Sequence, residues 1–342
     1  MSKTVIAIFE VNAEDRRSLQ RQLSLIKQVV LRFWSKTIND VDPSEYHDAQ
    51  IVSVFTLSQI TPAVLHKLPK LTLIASRSTG VDHINVRAAK SAGVAVTNVP
   101  GYGENTVAEY AFGLLLSVIR KLPQASQQIQ TGKIDHTALT GFELYGKTLG
   151  IIGTGKIGAH MARIASGFGM RIIGFDPYPN HQLEIDHGLH YMHMIELLRL
   201  SDVISIHSPY TGKNMHMIGK TEFAVMKQGA ILINTARGEL IDSKELVKNL
   251  QSGKLGGAGL DVLEDENLLR SSDEVELLTR TIDRAACDHV VEQMILEKMP
   301  NVVLSPHNAF NTHEALERIR QTTAENVTAF LTGQPQNIVD HN

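Results

Sequence analysis

The sequence predicts two α/β domains, each a parallel sheet with helices on its faces. Three observations carry that prediction. Short β-branched runs alternate with longer amphipathic ones, the pattern of strand–helix–strand units. The alternation is broken once by a long amphipathic segment and then begins afresh. The chain's 342 residues exceed what one ordinary core accommodates.

In the first part, residues 5–9, 51–55, 71–76 and 94–98 read as strands, and a helix with Glu14, Arg16, Arg17, Gln20 and Gln22 on its polar face follows the first. Pro100-Gly101 punctuates the chain. Residues 105–122 then form a long helix with Val107, Ala111, Leu114, Leu115 and Val118 as its apolar stripe, placed as a bridge between the domains. Beyond it, strands are expected at 149–152, 171–175, 203–207, 230–234, 257–260 and 302–304, with a helix over 157–168. A last amphipathic helix over 314–331 stops at Gly333 with Pro335 beyond. It is expected to return the chain to the first domain. The division is therefore 1–100 with 308–342 as one discontinuous domain and 101–307 as the other.

Composition narrows the class. A net charge of −3 argues against a nucleic-acid footprint. The single cysteine, Cys287, excludes an internal disulfide and fits a reducing, cytoplasmic setting. The apolar run near the N-terminus lacks the basic flank and small-residue site of a signal peptide and reads as a first buried strand. No run of about 18 apolar residues suggests a membrane span.

The restart of the alternation carries the first chemical signal. An apolar strand runs into Gly153-Thr154-Gly155-Lys156-Ile157-Gly158. Gly153 permits the tight turn, Gly155 leaves room for a pyrophosphate, and Gly158 lets the helix pack on the strand. The N–H groups of Lys156 and Ile157 then open a helix, where anions bind. Asp176 ends the next strand roughly 20 residues on, where a carboxylate accepts from ribose hydroxyls and repels a 2′-phosphate. The pair predicts a Rossmann-like site for NAD in preference to NADP.

Arg237 follows the strand at 230–234, at the edge where ligands bind in open α/β sheets. Its planar fork suits a carboxylate and keeps its charge. Glu264 and Glu266 follow another strand, and a carboxylate beside an imidazole stabilises the imidazolium. His307 follows the apolar run at 302–304, and histidine is the side chain suited to donating a proton near neutrality. Extended geometry puts both glutamates on one side and does not choose between them. A cofactor site, a fixed cation, a carboxylate and an imidazole are what hydride reduction of a 2-keto acid requires.

Residues 76–82 (SRSTGVD), 98–110 (NVPGYGENTVAEY), 150–158, 176–178, 205–209 (SIHSP), 232–238, 259–266 and 305–307, in that order, make the chain resemble the D-isomer-specific 2-hydroxyacid dehydrogenase family along nearly its whole length. Residues 175–179 (FDPYP), 261–266 and 306–310 (PHNAF), with a long insert before the histidine, are similar to its D-lactate dehydrogenase branch. The resemblance implies Rossmann-like and flavodoxin-like domains linked by two crossing helices, with the active site in the cleft between them. It makes Arg237 the substrate clamp and His307 the acid/base, and its spacing selects Glu266 as the partner of His307. Asp261 supports the cofactor or the arginine. Ser208, Pro209, Asn214, Thr235 and Ala236 line the dinucleotide site. Backbone N–H groups of Ser78, Thr79 and Gly80 take the substrate carboxylate, and Tyr102 lies on the substrate side.

The expected partners are a small 2-keto or 2-hydroxy acid, pyruvate first, and a second copy of the chain docked through the NAD-binding domain. No metal is expected, because the spacing of His181, His187, His190 and His193 fits no ligand pattern and reads as a helix surface. Residues 267–300, rich in charge, read as one or two solvated helices. Asn311 departs from the family, whose members often carry an aromatic there. Glyoxylate or hydroxypyruvate reduction, phosphoglycerate oxidation and formate oxidation are the alternatives within the family, and an NAD-sensing binding protein similar to its corepressor relatives is the alternative outside enzymes. The short tail after Pro335 argues against that last reading and against a longer phosphoglycerate form.

Overall fold

The structure, a computed structural model, describes residues 3–265 and 284–339. It divides into two compact units, Met1–Tyr102 with Thr312–Asn342, and Gly103–Asn311.

The first unit holds β1 (Thr4–Ile8), α1 (Ala13–Leu23), β2 (Val29–Phe33), β3 (Ile51–Val54), α2 (Pro62–His66), β4 (Leu73–Ser76), α3 (Val86–Ser91) and β5 (Ala95–Thr97). All its strand pairs are parallel, in the order β2-β1-β3-β4-β5, the flavodoxin-like arrangement. β1, β3 and β4 are buried almost throughout, which is why they read as continuous apolar runs. β2 was not expected from the sequence. It is an edge strand, half-buried at every position, and carries Arg32, which pairs with Asp48 at 2.6 Å. Without alternation or full burial it gives no strand period. Trp34 stacks on Phe9 at 4.8 Å between ring centroids, and Tyr46 meets Phe9 edge-on.

The second unit begins with α4 (Glu104–Arg120) and α5 (Leu122–Thr131). It continues through β6 (Thr148–Ile152), α6 (Lys156–Gly167), β7 (Arg171–Phe175), α7 (Gln182–His187), β8 (His190–Tyr191), α8 (Met194–Leu200), β9 (Val203–Ile206) and α9 (Lys220–Val225). It ends with β10 (Ala230–Asn234), α10 (Ser243–Gln251), β11 (Leu255–Leu260), α11 (Arg284–Lys298) and β12 (Val302–Leu304). The parallel order is β12-β11-β10-β9-β6-β7-β8. Counted from β6, this is the doubly wound Rossmann order with a seventh strand added at one edge.

The helix expected to bridge the domains, α4, packs within the second unit, against α6 and β11. The sequence of β11 explains this contact. A Cβ on Gly257 would come within 2.7 Å of Val118, and one on Gly259 within 2.9 Å of Leu114. Glycine at both positions lets the helix lie directly on the strand.

The histidine-rich stretch is not one helix surface. His187 ends α7, His190 lies in β8, and His181 and His193 stand at the N-caps of α7 and α8. In the insert, α11 is a helix, and residues 266–283 lie outside the described residues.

The last helix, α12 (His313–Leu331), belongs to the first unit. Thr312 caps it by accepting from Ala315 N at 3.2 Å, as Asn12 caps α1 through Glu14 N and Asp15 N. Arg320, 3 % exposed, leaves α12 to meet both Glu14 at 3.0 Å and Asp15 at 3.1 Å, so the two ends of the chain are clasped.

Candidate active site

In the second unit every predicted site residue within the described range follows the carboxyl end of a parallel strand. Because neighbouring strands run the same way, these ends share one edge. Along it, β12 carries His307, β11 Asp261, β10 Thr235 to Arg237, β9 Ser208, β6 Gly153 and β7 Asp176. From β7 to β10 is three strand spacings, about 14 Å. That span suits an extended dinucleotide across the switch point between β6 and β9.

The loop after β6 is shaped for a phosphate. Gly153 has φ +91°, and a Cβ there would lie 2.6 Å from Ser208 N. A Cβ on Gly158 would lie 2.1 Å from Gly153 O, so only glycine lets α6 start this close to β6. A Cβ on Gly155 would meet nothing within 4 Å. The space it would enter is the space a pyrophosphate needs, in front of the N–H groups of Lys156 and Ile157 at the N-terminus of α6. The Lys156 ammonium turns to Glu104 at 2.6 Å.

Asp176 sits beside this loop, accepting from Thr154 N at 2.7 Å and Tyr178 N at 2.8 Å. Ser208 Oγ and Thr235 Oγ1 are buried and have no hydrogen-bond partner among the described residues. Buried hydroxyls are normally satisfied, so this pair on adjacent strand ends fits a polar ligand that completes them. Asn214 is a brace for the same wall. Its amide donates to Pro209 O at 2.8 Å and accepts from Thr211 N at 2.9 Å. His207, bonded to Ser205 at 2.8 Å, is held down at about 4 by burial and is neutral.

Arg237 is positioned by Asn234, a residue whose role no motif announced. Fully buried at the end of β10, Asn234 accepts from Ala236 N at 3.0 Å and donates to Arg237 O at 2.8 Å. This Asx-type turn aims residue 237 off the strand end. The next residue must be glycine, since a Cβ on Gly238 would lie 2.1 Å from the carbonyl carbon of Leu263. The arginine turn and the acidic segment are thus packed backbone to backbone.

Glu264 closes that contact from behind. It is 3 % exposed, meets His216 Nε2 at 2.5 Å, and accepts from Ser243 Oγ at 2.7 Å. Gln293 Nε2 donates to its backbone oxygen, and His289 approaches its carboxylate at 3.7 Å while bonding Asp265 at 2.7 Å. Glu264 is therefore committed to this cluster. Glu266, the other candidate, lies outside the described residues.

Asp261 does its work under the histidine. It is 1 % exposed and accepts from Ser305 Oγ at 2.6 Å, Asn308 N at 2.8 Å and Ala309 N at 2.8 Å. Burial pushes its carboxyl above the usual range, and these donors pull it back only in part. His307 N donates to Asp261 O at 2.8 Å. The histidine itself has φ 51°, a left-handed conformation that a non-glycine residue keeps only when its surroundings impose it.

The first unit presents its own motif after β4. The carbonyls of Ser78, Thr79 and Gly80 each have a donor, from Val99 N, Asn98 Nδ2 and Ser78 Oγ respectively. The N–H groups of these three residues have no acceptor among the described residues. Arg77 is a structural arginine, buried, with its guanidinium on Phe9 O and Glu10 O. Tyr102 accepts at its carbonyl from Arg318 at 2.8 Å.

This edge carries a glycine turn, a carboxylate, an arginine and a histidine at strand ends, an arrangement that suits a nicotinamide-dependent dehydrogenase. Residues 112–309 match the family model for the NAD-binding domain of D-isomer specific 2-hydroxyacid dehydrogenases. The D-lactate dehydrogenase of Escherichia coli K12 is 34 % identical over 334 residues, 96 % of this chain and 97 % of that one. A glyoxylate reductase of Korarchaeum cryptofilum is 38 % identical over 295 residues, 85 % of this chain and 82 % of that one. Among solved structures, D-lactate dehydrogenase from Aquifex aeolicus complexed with NAD and lactic acid superposes with a TM-score of 0.84, at 34 % identity and 96 % coverage of both chains. The chain belongs to the D-isomer-specific 2-hydroxyacid dehydrogenases and is an NAD-dependent oxidoreductase. Among the described residues no helix is long and apolar enough to cross a membrane.

Proposed function

We propose that the protein reduces pyruvate to D-lactate with NADH, and runs the reverse reaction, in the cytoplasm. The observation that carries this is that Arg237 and His307 follow the carboxyl ends of β10 and β12, either side of β11, on the edge that also bears the glycine loop after β6. Bound NADH supplies the hydride to the carbonyl carbon. Arg237 takes the substrate carboxylate in a charged fork and polarises the keto oxygen. His307 gives its proton to that oxygen as the alcohol forms, and takes it back in the reverse direction. Glu266, outside the described residues, is the proposed partner of His307. Asp261 fixes the loop from which His307 projects and stands at the cofactor side of it. Ser78, Thr79 and Gly80 offer three N–H donors to a carboxylate, and Tyr102 contributes to the substrate side.

Pyruvate is favoured because relatives named D-lactate dehydrogenase match over nearly the full length. A homodimer formed through the NAD-binding unit is supported by α5, where Leu122 is 53 % and Ile129 69 % exposed.

The test is NADH oxidation with pyruvate, glyoxylate, hydroxypyruvate and phenylpyruvate, the product scored for handedness. Highest kcat/KM on pyruvate with D-lactate formed supports the reading. Preference for glyoxylate, in line with the glyoxylate reductase relative, retains the residue roles and replaces the substrate.

A further inference from the structure

Behind Asp176 lies a chain of hydroxyls that the reaction does not use. Tyr191 OH stands 2.8 Å from Thr154 Oγ1, and Thr154 Oγ1 stands 3.3 Å from Asp176 Oδ2. Tyr191 OH also accepts from Asn180 N at 2.9 Å. We propose that Tyr191 is a positioning residue for cofactor choice, holding the Asp176 carboxylate in place through Thr154 and pinning the far end of the Asp176 loop at Asn180. The inference rests on the reading that Asp176 meets the adenosine ribose.

The geometry supports a directed chain. Tyr191 has one proton, and Thr154 Oγ1 at 2.8 Å is nearer than its other acceptor, Asn180 O, at 3.2 Å. With that proton pointing at Thr154, the threonine's own proton is left for Asp176 Oδ2, and each bond polarises the next. Thr154 is 2 % exposed, so its hydroxyl has no water to turn to. A carboxylate has about four acceptor positions. Thr154 N and Oγ1 occupy Oδ2, and Tyr178 N occupies one position of Oδ1. An acceptor position on Oδ1 is left for a ligand.

The loop itself is short, Asp176-Pro177-Tyr178-Pro179-Asn180, and Tyr178 within it is 89 % exposed. With Asp176 held at one end and Asn180 at the other, the carboxylate cannot swing aside. A fixed carboxylate accepts from a ribose 2′-hydroxyl and repels a 2′-phosphate. One that can swing aside discriminates less. The Tyr191 ring packs in the core beside α6 and meets His181 edge-on at 5.8 Å, contacts that phenylalanine keeps. Tyr191→Phe therefore removes the hydroxyl alone.

The experiment is titration of NADH and NADPH by cofactor fluorescence against the wild type, Tyr191→Phe, Thr154→Val, Asp176→Ala and the Tyr191→Phe/Asp176→Ala double variant. Expected is a loss of NADH affinity of about three- to tenfold in Tyr191→Phe, the scale of one net hydrogen bond. NADPH affinity should hold or rise, so that the two dissociation constants converge. Thr154→Val should move the ratio the same way. In the Asp176→Ala background, Tyr191→Phe should converge them no further, because its effect passes through Asp176. Equal weakening of both cofactors, or full additivity in the double variant, overturns the inference. If Asp176→Ala leaves the ratio unchanged, the ribose reading has failed and the inference falls with it. If Asp176→Ala narrows the ratio and Tyr191→Phe does not, only the inference falls.

Discussion

The two halves of the second unit's carboxyl edge are held in different ways. Around β6 and β7, glycines that could be nothing else and short backbone-to-carboxylate bonds shape the cradle, so the sequence motif is itself the geometry. Around β10 to β12, no local motif suffices. Arg237 depends on Asn234 and on the Leu263 backbone packed against Gly238, and that backbone depends on Glu264 gripped by His216 and Ser243. His307 depends on Asp261, which is 46 positions away in sequence but on the neighbouring strand. Binding of a shared cofactor tolerates a modular loop. Proton transfer and charge clamping need side chains fixed to a fraction of an ångström, and distant elements supply that restraint.

The largest expected effect separates the halves outright. His307→Asn should lower kcat by about two to four orders of magnitude, the usual contribution of a positioned general acid. NADH binding should persist, measured by fluorescence titration. Loss of NADH binding as well would mean the halves are not separable.

Arg237→Gln should lower kcat/KM for pyruvate by roughly a hundredfold, mainly through KM, as expected for a lost bond to a charged group. Unchanged steady-state kinetics would remove Arg237 from the substrate.

His216→Leu tests the support of the second half. It leaves the Glu264 carboxylate buried with Ser243 as its remaining side-chain donor, and should cost about 2–3 kcal/mol of stability. Urea unfolding should be followed by circular dichroism. The single tryptophan, Trp34, lies in the first unit and does not report on the second. His216→Gln, which can keep a donor toward Glu264, should recover part of the loss. Equal stability of wild type and His216→Leu would show that the clamp bears no load.

The smallest effect is one of pH. Burial works against charge on His289, but its bond to Asp265 and the nearby Glu264 outweigh burial and raise its pKa. A histidine whose folded pKa is raised stabilises fully below its unfolded value, near pH 6.5, and loses that contribution as pH climbs through the folded one. Docking of α11 should therefore weaken above about pH 6.5. Amide exchange along α11, corrected for the intrinsic rate, should show the decline in wild type and not in His289→Gln. A flat wild-type profile would dismiss the His289 pair as an anchor.

The strands at 149–152, 171–175 and 230–234 were legible because burial on both faces makes them unbroken apolar runs between punctuating residues. β2 and β8 were not, since edge strands need neither burial nor alternation. Arg237, His307, Asp176 and the glycines were legible as residue types at strand ends. Their helpers were not. His216 and Ser243 belong to no motif, and Tyr191 lies among histidines weighed only as metal ligands.

By itself the sequence determined the class of chemistry and the cofactor loop, because glycine and backbone N–H geometry are set over a few neighbouring residues. It also determined the alternation that makes parallel sheets. The tertiary structure decided that Glu264 is buried. It committed Glu264 to His216 and Ser243, an outcome that needs residues 243 and 216 brought beside 264 by strand pairing. It likewise decided that α4 packs in the second unit, since the glycines of β11 open a seat that no helix period can announce. Local spacing fixes what a side chain can do, and long-range pairing fixes which partner it meets.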